Sequence, residues 1–351
     1  MLDSLYYDSL DLLKSLISTP RHSREESKAT DLIEAQMNAW GLSPLRHANN
    51  VWAIDPEYDP SRPTILLNSH IDTVRPATGW THNPYTPTIE DDRLYGLGSN
   101  DAGASLVSLL AAYRAMTTLP RHSNLVFAAS AEEEVSGKNG LEAILHTLPP
   151  IDYAIVGEPT GMNPAVAEKG LMVLDGVARG KAGHAARDEG DNAIYRAIGA
   201  IERLRTMKFE KESETLGPVK ISVTQIEAGT QHNVVPDECR FVVDVRTTDA
   251  YTNAETLELI RSHVPEVELT PRSTRLNPSG IPTDNPVVRR AVMLGYTPYG
   301  SPTLSDQTLM PWPSVKIGPG DSARSHTADE YITLYELREA IEIYTRLLSG
   351  L

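Results

Sequence analysis

Two histidines and a group of carboxylates recur in this chain at places where they could act together. They are His70 and Asp72 in "SHID", Asp101 in "GLGSND", the run Glu132, Glu133 and Glu134 in "SAEEEVSG", Glu158 in "VGEP" and His326 in "GPGDSARSH". Three like charges directly after an apolar run repel one another unless cations sit among them. Imidazole mixed with carboxylate is a donor set suited to zinc or a similar divalent ion. Taken singly, each residue has a plainer reading: His70 as a satisfied loop histidine, Asp101 as a helix cap, the glutamates as a solvated turn. What joins them is a shared position, each following a separate apolar run.

Those runs are the elements that must hold the site. "TILLN", "LVFAAS", "YAIV" and "SVKI" are short, continuous and apolar, as strands buried on both faces are. "AGASLVSLLAAYRAM" between them is too long and too rich in alanine and leucine to be anything but a helix. Near the start, Tyr6, Leu10, Leu13 and Ile17 recur at helical spacing, and "SREE", Ser23 to Glu26, has the form of a capping box opening a second helix. Strands alternating with helices predict an α/β sheet covered on both sides, whose ligands bind outside the carboxyl ends of the strands. From residue 167 the pattern changes. "GLMVLDGVARG", "VKISVTQIEAG" and "CRFVVDVRTT" alternate apolar and polar side chains, as strands with one wet face do, and two helical segments accompany them. This predicts a smaller α+β domain inserted at 167–271, with 1–166 and 272–351 forming the first domain.

Composition removes other classes. The 351 residues carry a formal charge of −15 and are 40% hydrophobic, which leaves no basic excess for a nucleic acid partner. No run of about 18 apolar residues predicts a membrane span, and the first residues have no basic segment followed by an apolar one. The lone Cys239 excludes an internal disulfide and a cysteine-rich zinc site. These features lead us to expect a soluble, cytoplasmic protein. "GLGSND" has Asp101 where a dinucleotide loop has its third glycine, and neither a Walker lysine motif nor a Gly-x-Ser-x-Gly elbow is present.

Together and in order, "SHIDTV", "GLGSNDAGA", "SAEEEVSG", "VGEPT", "GKAGHAA", "HNVVP", "DVRTT" and "GPGDSARSHTADE" resemble the M20 metallopeptidase family, over residues 18 to 332. That family includes acetylornithine deacetylase, succinyl-diaminopimelate desuccinylase and dinuclear aminoacylases and carboxypeptidases. The resemblance implies a zinc-peptidase-like catalytic domain, with helices on both faces of a mixed sheet, and an inserted dimerisation or lid domain. It implies two divalent ions, zinc first and cobalt as an alternative, with His70 and Glu158 on one, Glu134 and His326 on the other, and Asp101 bridging. Glu133 becomes the general base, and Asp72 the carboxylate that fixes the His70 imidazole.

In the inserted domain, the resemblance implies that His184 reaches across a homodimer to stabilise the oxyanion in the partner's site. Asn233, Arg246 and Gly320 become substrate-binding residues. Glu132 departs from the usual aspartate before the catalytic glutamate, while Glu158 is Asp in some members and Glu in others and so does not select a substrate. The activity expected is hydrolysis of an N-acyl amino acid, N-acetyl-L-ornithine in arginine biosynthesis. The alternatives are desuccinylation of succinyl-diaminopimelate, succinyl-ornithine or succinyl-citrulline, and, in another class, a non-catalytic amino-acid-binding homologue.

Overall fold

Thr64–His70 and Asn124–Ser130 are buried along their whole length, and alternate side chains leave opposite faces of the sheet. Ile65, Leu67, Leu125 and Phe127 point into the larger core, shared with helices Leu2–Ile17, Ala104–Met116 and Leu334–Leu348. Leu66, Val126 and Ala128 point the other way, into a smaller core closed by Leu141, Ile144 and Met310. Each fully buried leucine or phenylalanine contributes about 1.5–3 kcal/mol by leaving water. Helix Ala104–Met116 is buried on nearly every side, which explains its small, apolar composition.

The structure, a computed structural model, describes residues 2–351. It divides into two units: Met1–Val166 with Gly280–Tyr299 and Ser305–Leu351, and Ala167–Ser279 with Gly300–Leu304. Six strands of the nine-stranded sheet lie in the order Leu45–His47, Asn50–Ile54, Asn124–Ser130, Thr64–His70, Tyr153–Val156, Ser314–Lys316. The last four run parallel and the first two antiparallel, so the α/β sheet is mixed. The parallel register pairs His70 with Ser130, Asn68 with Val156, and Val156 with Lys316. It therefore delivers four strand ends to one edge.

The second unit is a four-stranded antiparallel sheet in the order Lys220–Ala228, Glu238–Thr247, Gly170–Arg179, Glu268–Pro271, with helices Ala193–Thr206 and Asn253–His263. Gly170–Arg179 alternates buried and half-buried residues as its sequence predicts. Lys220–Ala228 does not. It is the edge strand and largely exposed. The chain also stays with this unit beyond residue 271, because Arg272 N–H donates to Val173 and Leu171 N–H to Leu276, and it returns at 300–304, where Lys169 N–H donates to Ser301.

The capping box expected at Ser23 to Glu26 does not form. The second helix runs Ser27–Ala39, and no side chain caps its start. Ser23 Oγ donates instead to Asp72 Oδ2 at 2.6 Å. The buried Glu26 accepts from Arg24 N–H, Glu132 N–H and Asn49 Nδ2. Tertiary partners outbid the local cap because they leave fewer buried donors unpaired. A true capping box opens helix Leu334–Leu348, formed by Thr333 and Glu336.

Candidate metal centre

All of the candidate acidic and imidazole groups except Asp101 end or follow a parallel strand. His70 ends its strand, Glu133 and Glu134 follow Ser130, Glu158 follows Val156, and His326 lies beyond Lys316. Asp101 is carried by the irregular turn Ser99–Gly103, which leads into helix Ala104–Met116. His70 Nδ1–H donates to the Asp72 backbone carbonyl at 2.9 Å. In the neutral ring that bond sets the tautomer and makes Nε2 the nitrogen able to bind an ion. Nε2 lies 3.2 Å from Asp101 Oδ1 and 3.7 Å from Glu158 Oε1. On the other side, His326 Nε2 lies 3.0 Å from Glu134 Oε2 and 3.6 Å from Asp101 Oδ2. The two oxygens of Asp101 thus face different histidines. His70, Asp101 and Glu134 bring ligand atoms within 4.8 Å of one another.

Asp72 has partners besides His70. Its carboxylate stands 3.6 Å from His70 Nδ1, while its oxygens accept from Glu133 N–H at 3.0 Å, Glu134 N–H at 3.2 Å and Ser23 Oγ. It orients the imidazole through its backbone carbonyl and clasps the glutamate turn through its carboxylate. Glu132 turns away from the cluster, with φ 56°. Its Oε1 accepts from Asn139 Nδ2 at 3.0 Å, which anchors the loop.

The electrostatics identify what the cluster needs. Burial pushes Glu158 up to about 8; Asp101 and Glu134 push the same way, and His70 and Lys316 partly oppose them. Burial also drives Glu133 well above the carboxylate range, with Glu158, Asp306 and Glu134 adding to it against the pull of His70. The hydrogen bond to Glu134 raises His326 to about 9 despite partial burial. His70 is held well above its usual value although burial opposes this, because Asp101 and Asp72 stabilise its cation. Burial and crowding thus disfavour bare negative charge at Glu133 and Glu158. Divalent cations relieve the same charge and use the same nitrogens and oxygens, so the residues present fit a metal centre.

A model of peptidase family M20/M25/M40 matches residues 66–350. The chain belongs to that family. As an M20 protein it is a metal-dependent hydrolase. Its fold is shared by aminopeptidase PepT from Bacillus cereus (19% identity, 98% of each chain, TM-score 0.80). A tripeptidase from Staphylococcus aureus is similar too (22% identity, 98% of each chain, TM-score 0.80). So is a dinuclear metal-binding M20 peptidase from Bacillus subtilis (17% identity, 99% of this chain and 100% of that one, TM-score 0.76).

The remaining candidates of this M20 hydrolase fall in two places. Gly320, in the first unit, has φ 84°, and a Cβ there would stand 2.2 Å from Asn100 Oδ1. The close approach that requires glycine is therefore to Asn100. A cleft of about 370 Å³ is lined by Thr160, Tyr299, Gly320, Asp321, Arg324 and Glu336. In the second unit, Gly183–His184 pairs with Val234–Val235, and Ala185 N–H donates to Asn233 O, which brings His184 and Asn233 together. His184 Nδ1 accepts from Ala186 N–H at 3.1 Å, leaving the exposed Nε2 to carry the proton of the neutral ring. Arg246 sits near the other end of strand Glu238–Thr247, opposite Leu171. Its guanidinium is held by Asp244 through Nε and Nη2 at 3.0 and 3.2 Å, which orients the group and leaves its Nη1 donors outside that pair.

The residues that sequence reading missed are the ones that support the ligands: Arg21, Ser23, Glu26 and Glu330. A buried charge is the signal that finds Arg21, Glu26 and Glu330, since Lys, Arg, Asp and Glu are almost never fully buried unless paired.

Proposed function

We propose that this M20 hydrolase cleaves the amide bond of an N-acyl amino acid, with N-acetyl-L-ornithine the first candidate, in the cytoplasm and in the service of arginine biosynthesis. The observation that carries the reading is Asp101, whose oxygens face His70 and His326 separately while Glu133 follows the same cluster. His70 and Glu158 would hold one divalent ion, Glu134 and His326 the other, and Asp101 both; zinc suits the mixed nitrogen and oxygen donors. Such ions, when bound, supply Lewis acidity that acidifies an attacking water and polarises the scissile carbonyl. Glu133 accepts the water's proton on its carboxylate and returns it to the departing nitrogen. One C–O bond forms, the amide C–N bond breaks, and the products are a carboxylic acid and a free amine.

A second reading, a short peptide in place of the acyl amino acid, draws on the aminopeptidase and the tripeptidase that share the fold. A panel of N-acetyl-L-ornithine, N-acetyl-L-citrulline, their succinyl analogues, succinyl-diaminopimelate, and di- and tripeptides separates the two by amine release, with zinc or cobalt added and a chelator control. Chelator-sensitive release from an acyl amino acid is expected. Release from peptides alone would replace the first reading with the second.

For the second unit, the reading is a homodimer in which His184 serves the partner's site. It is supported by the exposed edge strand Lys220–Ala228 with Ile226, and by the exposed Tyr195 and Ile198 on helix Ala193–Thr206. Mixing His184→Ala with Glu133→Gln subunits is expected to recover about a quarter of wild-type activity. Half the randomly mixed dimers are then heterodimers, each with one site that has both groups intact. No recovery in heterodimers verified by mass would remove His184 from that role.

A further inference from the structure

For Asp101 to face both histidines, the turn that carries it must be fixed to a fraction of an ångström. Glu330, four residues after His326, supplies the fixing group. It is 2% exposed. Its Oε1 accepts from Asn100 N–H at 2.8 Å and Asp101 N–H at 2.9 Å, its Oε2 from Gly98 N–H at 2.8 Å, and its backbone carbonyl from Gly96 N–H at 3.0 Å. Those carboxylate oxygens face backbone donors, so they are committed to the turn rather than offered to an ion.

From the opposite side, the buried Arg21 donates to Gly98 O at 2.9 Å and, through Nε, to Ile71 O at 2.6 Å. One guanidinium thus ties the turn to the residue next to His70. Gly98 has φ 71°, and a Cβ there would stand 2.4 Å from Arg21 Nη2. Asn100 closes the third side: its Nδ2 donates to Asp321 O, and its Oδ1 accepts from Asp321 N–H, both at 3.1 Å.

We propose that Glu330 is a positioning residue. Its carboxylate gathers the amides of Gly98, Asn100 and Asp101, and so sets Asp101 at the distance from His70 and His326 that shared metal binding demands. This rests on the assignment of Asp101 as a metal ligand. Groups that orient a metal ligand typically change affinity by ~10- to 100-fold when altered. In Glu330→Gln the amide NH₂ has to replace one of the two oxygens, setting a donor against a donor at Gly98 or at Asn100 and Asp101.

The experiment titrates zinc into metal-free wild type, Glu330→Gln, Asp101→Ala and Leu347→Ala, against a competing chelator. The last variant truncates a buried side chain of helix Leu334–Leu348 and controls for stability alone. Zinc affinity is expected to fall ~10- to 100-fold in Glu330→Gln, to fall further in Asp101→Ala, and to stay at the wild-type value in Leu347→Ala. Wild-type affinity in Glu330→Gln with loss in Asp101→Ala overturns the positioning role and leaves the ligand assignment standing. Wild-type affinity in Asp101→Ala overturns both, and loss in Leu347→Ala equal to that in Glu330→Gln reduces Glu330 to a stability effect.

If Glu330→Gln does not fold, hydrogen exchange on the metal-free wild type decides. The amides of Gly98, Asn100 and Asp101 are expected to be protected as strongly as those of strand Thr64–His70. Exchange at the rate of an exposed loop overturns the proposal.

Discussion

Glu133→Gln is expected to keep its divalent ions and its fold while turning over substrate about 10³- to 10⁴-fold more slowly. The substitution preserves shape, and the Glu133 backbone N–H that donates to Asp72 is unaffected. An amide side chain has no basic oxygen of comparable strength, so the water's proton has no acceptor. At 1.36 kcal/mol per decade, the loss corresponds to about 4–5.5 kcal/mol of transition-state stabilisation. Amine release measures turnover, and atomic absorption after gel filtration measures metal per chain. Turnover near the wild-type rate would remove Glu133 from the base role; loss of metal would move it among the ligands.

Asp101→Ala should have an effect of a different kind. Its two oxygens approach His70 Nε2 and His326 Nε2, so one truncation removes a donor from both halves of the cluster. Zinc affinity is expected to fall more than about 100-fold, beyond the cost of altering an outer group, and activity to disappear with it at ordinary zinc concentrations. Metal content and activity therefore separate the two variants: Glu133→Gln keeps metal without turnover, and Asp101→Ala keeps neither. Two ions retained at wild-type affinity in Asp101→Ala would overturn the bridging assignment.

The outline of the first unit was legible in the chain because its signals are local. A strand buried on both faces must be continuously apolar, and Thr64–His70, Asn124–Ser130, Tyr153–Val156 and Ser314–Lys316 are. Because parallel strands deliver their ends to one edge, placing His70, Glu134, Glu158 and His326 just after those runs was enough to gather them. For Lys220–Ala228 the alternation predicts a half-buried strand where the structure has an exposed one, because alternation shows which side chains share a face but not whether anything covers it.

The sequence by itself thus determined which residue types could hold a metal and which strands would gather them. Only the tertiary structure decided how they are held. It made Asp72 a clasp for the Glu133 and Glu134 amides, turned Ser23 and Glu26 from a helix cap into loop anchors, and joined Glu330 to the amides of residues 98, 100 and 101 across some 230 positions of chain. The physical reason is that a buried backbone donor must be satisfied by whatever acceptor packing brings near. The identity of that acceptor follows no period and leaves no trace at neighbouring positions.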